Sequence, residues 1–183
     1  KILRLLLTVI FLSSGLELFA KPFKLKVFIL AGQSNMDGQA HVRTIDFLSE
    51  DLDPTRASLL KTFKPGGKEL MTREDVWVSN AGVHDKLQPG FGGRRNYDKL
   101  GSNIGPEYAF GQVIGDHYAS DDVLIVKTAW GGRDLAQRFR PPSAVTDRGG
   151  RVGEFFSAII AQTRDVLTNL DTEFPEWSGQ GYE

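Results

Sequence analysis

The chain has 183 residues, 40% of them hydrophobic and 25% charged, with a formal net charge of −1. This length supports one domain with a real core, and the near-neutral balance excludes the basic field of a nucleic-acid binder. No cysteine occurs, which excludes disulfides, thiolate nucleophiles and cysteine-based zinc sites.

Lys1 and Arg4 open the chain, Leu5 to Leu12 is apolar apart from Thr8, and Leu18-Phe19-Ala20 offers a small residue for cleavage. This is the layout of a secretory signal peptide, and its apolar core is too short to span a bilayer. Residues 1–20 are therefore expected to be a leader and residues 21–183 the domain. The expectation is export to the periplasm or the extracellular space, with no stable membrane insertion after cleavage.

Leu25 to Ala31 reads as a first strand, continuously apolar after Lys26 and stopped by Gly32. Such a run suggests burial on both faces and hence a parallel sheet. Pro54 to Lys64 has the pattern of a short helix closed by Pro65-Gly66-Gly67. Val76-Trp77-Val78 reads as a brief peripheral strand, and Asn80 to Asn103 as a long glycine-rich loop. Gly105-Pro106-Glu107 opens a helix, with proline at its first position and an acid at its positive end. Val123 to Ala129 is a second buried strand, ending at Trp130-Gly131-Gly132. Gly153 to Leu170 is the clearest amphipathic helix. Two strands joined by a long helical crossover predict parallel pairing. The strand that the last helix should lead into is not found, so the domain is expected to be C-terminally incomplete.

Parallel α/β sheets bind ligands at the carboxyl ends of their strands. Two such ends, Gly32-Gln33-Ser34-Asn35 and Gly131-Gly132, would share one edge. Taken alone, Gly-Gln-Ser-Asn fits a turn as well as a nucleophile. Acyl transfer needs a nucleophile, N–H donors for an oxyanion and a base. Ser34 supplies a hydroxyl, its own N–H and a glycine N–H supply donors, and glycine admits close backbone approach. The base is harder to place. His117 sits late in a helix, while His41 and His84 are loop residues able to face a site. Arg133, Arg138 and Arg140 could hold a carboxylate or simply be solvated, and Trp130 could stack on a sugar or pack in the core. No metal-ligand spacing, Walker loop or dinucleotide fingerprint occurs.

The blocks Phe-Ile-Leu-Ala-Gly-Gln-Ser-Asn-Met, Ile-Gly-Pro-Glu and Lys-Thr-Ala-Trp-Gly-Gly, in that order, resemble the sialate O-acetylesterase-like carbohydrate esterases of the SGNH hydrolase superfamily. The resemblance runs from about Lys24 to the C-terminus. It implies a flavodoxin-like three-layer α/β/α sandwich with a parallel sheet. It also implies a serine that attacks an acetyl ester on a sugar, without a cofactor, to form an acetyl-enzyme. By this resemblance Ser34 matches the nucleophile and one oxyanion donor, Gly131 or Gly132 matches a second donor, and Gln33 and Asn35 flank and shape the turn. The Gln-Gly strand end that supplies a side-chain donor is not found in context; Gln180-Gly181 follows no predicted strand. The Asp-x-x-His block that supplies base and acid is absent, so both are expected beyond residue 183. A non-catalytic carbohydrate-binding module on the same scaffold is the alternative. A lipase or peptidase on a related fold is weaker, since no G-x-S-x-G elbow occurs. Sialate, xylan and algal sugars all remain open as substrates.

Overall fold

The computed structural model describes residues 25–93, 100–177 and 181–183. The leader read over residues 1–20 lies outside the described residues. Among those described, no helix is long and apolar enough to cross a membrane.

A four-stranded sheet carries the fold, built from β1 (Lys26–Gly32), β3 (Arg73–Asn80), β4 (Val83–Leu87) and β6 (Val123–Ala129) in the order β1-β6-β3-β4. β1 and β3 both run parallel to β6, and only β4 is antiparallel, as the second arm of a hairpin with β3. A two-stranded ribbon of β2 (Ala40–His41) and β5 (Asn103–Ile104) stands beside it. The expected parallel pairing of the first and last apolar strands is present over seven residue pairs, from Lys26↔Val123 to Gly32↔Ala129. β6 is buried on both faces from Val123 to Thr128, which is why its sequence shows no alternation.

The reading of residues 76–78 as a peripheral strand requires correction. β3 is eight residues long and lies inside the sheet, with Val76 and Val78 fully buried. Its charged start, Arg73-Glu74-Asp75, masks the strand in the sequence. Arg73 is nevertheless buried, with Nε and Nη2 on Asp75, Nη1 on Asp116 and on the Gln112 carbonyl. The reading of residues 80–103 as structureless also fails, because β4 falls within it and β5 begins at its last residue. A tight turn of Ala81 (φ 50°) and Gly82 (φ 80°) closes the β3–β4 hairpin. Positive φ at both positions matches the twist of paired strands, and alanine is an unusual occupant of the first.

One face of the sheet is covered by α4 (Pro106–His117), with the 3-10 helix 42–50 and two short helices, α2 (Pro54–Ser58) and α3 (Leu60–Phe63), around it. The predicted helix over 54–64 is thus broken at Leu59. Tyr108 on α4 is buried and stacks on Phe63 at 5.4 Å. Burial pushes its hydroxyl up to about 12, and it donates to the Met71 carbonyl at 2.7 Å. The other face is covered by α6 (Glu154–Thr168) and α7 (Leu170–Glu173), preceded by α5 (Pro142–Arg148) in the connection from β6. Phe174 and Trp177 close this second core against Trp77, with Trp77–Trp177 ring centroids 5.3 Å apart. Trp177 Nε1 donates to Asp122 Oδ2 at 3.0 Å. Helices on both faces of a mostly parallel sheet make the three-layer α/β/α arrangement expected of the sequence.

Beyond α7 the chain returns to β1. Glu183 N–H donates to the Leu25 carbonyl, and Val27 N–H donates to the Glu183 carbonyl, at 2.9 and 2.8 Å. Leu25 and Tyr182 thereby form a parallel bridge on the outer edge of β1.

Candidate active site

β1 ends at Gly32, and one helical turn, α1 (Ser34–Asp37), starts two residues later. Asp37 N–H bonds to the Gln33 carbonyl at 2.8 Å, and Gly38 N–H to the Ser34 carbonyl at 3.0 Å. The turn therefore closes on its own backbone and leaves Ser34 exposed at its start. Gly32 is required by close packing: a Cβ there would meet Met36 Cβ at 2.8 Å. The two strand ends are tied together, since Trp130 N–H donates to the Gly32 carbonyl at 3.1 Å.

Ser34 and Gly131 are neighbours. A methyl placed on Gly131 would stand 3.7 Å from Ser34 Cβ. Gly132 follows at φ +70°, with open space where a side chain would go. Among the described residues no acceptor bonds the N–H of Ser34 or of Gly131. Unpaired donors such as these, one opening α1 and one in the turn after β6, suit a developing negative charge. Gln33 precedes the turn as its cap, and Asn35 lines the cleft with Ser34. That cleft is open, about 500 Å³ in volume, and its other walls are Gly38, Gln39, Ala40, Ile104, Gly105 and Pro106. The structure thus brings Gln33, Ser34, Asn35, Gly131 and Gly132 to one edge of the sheet.

None of the three histidines is hydrogen-bonded to Ser34. His41 Nδ1 accepts from Arg43 N–H at 3.2 Å and caps the 3-10 helix. His117 ends α4, eleven residues from the proline that lines the cleft, or about 17 Å along the helix. His84 lies on β4, three strand spacings from β1, or about 14 Å across the sheet. Its Nδ1 stands 3.2 Å from Glu173 Oε2, but the two atoms are not aligned for a hydrogen bond. Burial lowers the His84 pKa against a smaller opposing pull from Asp165, and burial together with Asp165 raises that of Glu173. Both groups are therefore pushed toward their neutral forms, and the contact is not a strong ion pair.

A pH dependence follows. The folded-state pKa of His84 lies below its ordinary value of 6.5, so the stability it contributes is complete above that value and is lost as pH falls through it. Glu173 works in the opposite sense: its raised pKa favours the protonated folded form below 4.5, an advantage lost as pH rises. His84→Asn is expected to lose less Tm than the parent between about pH 7.5 and 5.5. Parallel melting curves with equal slopes would rule His84 out as the titrating group.

The arginines and Trp130 are engaged inside the connection from β6. Trp130 faces Phe155 at 4.9 Å and Phe139 at 6.3 Å, and the Arg133 guanidinium lies 5.3 Å over Phe155. Arg138 pairs with Glu154, while Arg140 donates to the Ala136 and Gly149 carbonyls. Packing and bracing thus account for Trp130, Arg138 and Arg140.

A buried charged group lies beneath the cleft. Lys127 sits in the middle of β6 and is fully buried against Glu107 of α4, with Nζ to Oε2 at 2.6 Å. A lysine inside Val-Leu-Ile-Val-Lys-Thr-Ala was the available signal, since a charge in a strand buried on both faces needs a partner.

The family model for carbohydrate esterases described as sialic acid-specific acetylesterase matches residues 24–173. The chain belongs to this family. Carbohydrate esterase membership agrees with the order of the three sequence blocks and with the layered fold. No curated protein matches the chain. Among solved structures, a protein from Arabidopsis thaliana determined by X-ray diffraction at 1.6 Å is similar at 16% identity, with a TM-score of 0.42. The match covers 79% of this chain and 52% of that one, so this esterase-family chain spans about half the length of its solved relative.

Proposed function

We propose that this member of the carbohydrate esterase family hydrolyses acetyl esters on sugars through an acetyl-enzyme on Ser34. The observation that carries the proposal is the exposed Ser34 beside Gly131, with the N–H groups of both unpaired. Ser34 Oγ bonds to the acetyl carbon as a base takes its proton. The resulting oxyanion receives the Ser34 and Gly131 N–H groups, with Gly132 next in line. Collapse breaks the bond to the sugar oxygen, which leaves with the proton. Water then releases acetate by the same steps in reverse order. Gln33 and Asn35 shape the turn, and the cleft of Asn35, Gln39 and Gly105 receives the sugar. The histidine and its orienting acid are not assigned among the described residues, where none of the three histidines is hydrogen-bonded to Ser34. The leader reading adds export to the periplasm or cell exterior.

The test is covalent trapping. The full-length protein treated with a fluorophosphonate is expected to carry one adduct, located on Ser34 by peptide mass. Acetate release with no adduct on Ser34 would remove the serine from the mechanism. The second reading, a non-catalytic sugar binder, draws on the absence of a hydrogen-bonded base at Ser34 among the described residues. It requires calorimetric binding of acetylated oligosaccharide without acetate release.

A further inference from the structure

The buried pair beneath the cleft joins α1, the Phe91 segment and the start of α4. Lys127 Nζ donates to the Asp37 carbonyl at 2.8 Å, the Phe91 carbonyl at 3.0 Å and Glu107 Oε2 at 2.6 Å. Asp37 is the last residue of α1, and its N–H closes the turn onto Gln33. Its carbonyl also receives Gly93 N–H at 3.0 Å. On the other side, Glu107 Oε1 accepts Gly105 N–H at 2.9 Å. Gly105 is a cleft wall, packed so tightly on Gly38 that a Cβ on Gly38 would stand 2.2 Å from its Cα.

We infer that Lys127 and Glu107 are positioning residues that fix the nucleophile turn against the opposite wall of the cleft. The inference rests on Ser34 being the nucleophile. The ammonium grips the end of the turn that Ser34 begins, and the carboxylate grips the wall that faces it. A buried ion pair is a poor source of stability, because desolvation of both charges offsets most of their attraction and apolar pairs often serve as well. What an apolar pair cannot supply is a set of donors and acceptors aimed at Asp37, Phe91 and Gly105. Lys127 is not a base for Ser34, because its Nζ is buried and donates to the Asp37 and Phe91 carbonyls and to Glu107 rather than to Ser34. Nor does Glu107 act as an orienting acid for a histidine. Both its oxygens are engaged, by Lys127 and by Gly105, and the carboxylate is buried.

The test separates positioning from stability. Lys127→Met leaves a buried carboxylate unpaired and is expected to lower both Tm and the rate of Ser34 labelling by a fluorophosphonate. Lys127→Met with Glu107→Gln removes both charges and retains an acceptor for Gly105 N–H. This double variant is expected to recover most of the lost Tm while labelling remains about a hundredfold slow, the penalty of a nucleophile misplaced by an ångström. Hydrogen exchange of the present chain gives a second readout that needs no activity. The Asp37 and Gly38 amides of the double variant should exchange on the order of tenfold faster, with β6 amides unchanged. A double variant that labels at the parental rate, or whose turn amides keep parental protection, overturns the inference. A parent protein whose Ser34 never labels overturns the nucleophile instead, and the exchange measurement still decides the positioning role. Should the double variant not fold, Glu107→Asp keeps both charges and shortens the reach, and the same two readouts are expected to move in the same directions.

Discussion

Ser34→Ala in the full-length protein is expected to lower kcat for aryl acetate hydrolysis by about four to six orders of magnitude, the usual cost of deleting an activated serine. Its KM should change little, because the cleft walls and the N–H groups of Ser34 and Gly131 survive the substitution. Stability should also be preserved. Ser34 is exposed, and the hydrogen bond it makes within its turn comes from its backbone carbonyl, so the change belongs with surface substitutions worth about 0.5 kcal/mol or less. Turnover and thermal melts on one preparation check both halves. A folded variant that retained parental kcat would show that the cleft binds sugars and that another group does the chemistry.

Gly38→Ala is expected to have the largest effect on stability. Gly38 has φ +80°, and a Cβ there would lie 2.2 Å from Gly105 Cα and 2.7 Å from the Ile104 carbonyl oxygen. A left-handed alanine alone costs about 1–2 kcal/mol. The obstruction is backbone, so relief requires separating α1 from the start of α4. That lifts the total to about 4 kcal/mol or more, within the range that unfolds marginal domains. Gly132→Ala is the control. It has the same conformational problem at φ +70° but meets no atom within 4 Å, so only about 1–2 kcal/mol is expected. Denaturant titrations of the two variants measure the difference. Equal losses would mean that the Gly38–Gly105 contact is not needed for the fold.

The parts of this fold legible in the sequence are those whose signal is local. The apolar runs 26–32 and 123–129 announce parallel strands, although only β6 is buried on both faces and β1, at the sheet edge, leaves Ile29 half exposed; Gly105-Pro106-Glu107 announces α4, and the apolar face of 153–170 announces α6. The two strand ends of the candidate site are legible for the same reason, since each carries its glycines beside the strand it terminates. β3 and β4 were obscured because their residues are chosen by distant partners. Arg73 is held in the interior by Asp75, two residues on, and also by Asp116 and the Gln112 carbonyl, about forty residues on and visible only in the fold. His84, Asp85 and Lys86 read as loop, yet they form a ladder with β3. In the sequence Glu107 reads as a complement to its helix dipole. Its partner on β6 is twenty residues away and visible only once the sheet is assembled.

The strand order β1-β6-β3-β4 also sets a timetable for synthesis. β6 emerges last of the four and, among the described residues, is the neighbour that β1 and β3 share. Ninety-seven residues separate Lys26 from its ladder partner Val123, so at about 5–20 residues per second the serine strand waits roughly 5–20 s for its mate. Until then two apolar strands present unpaired edges, a state open to association with other chains. The ribosome, rather than the heat of the test tube, is where this architecture is most exposed.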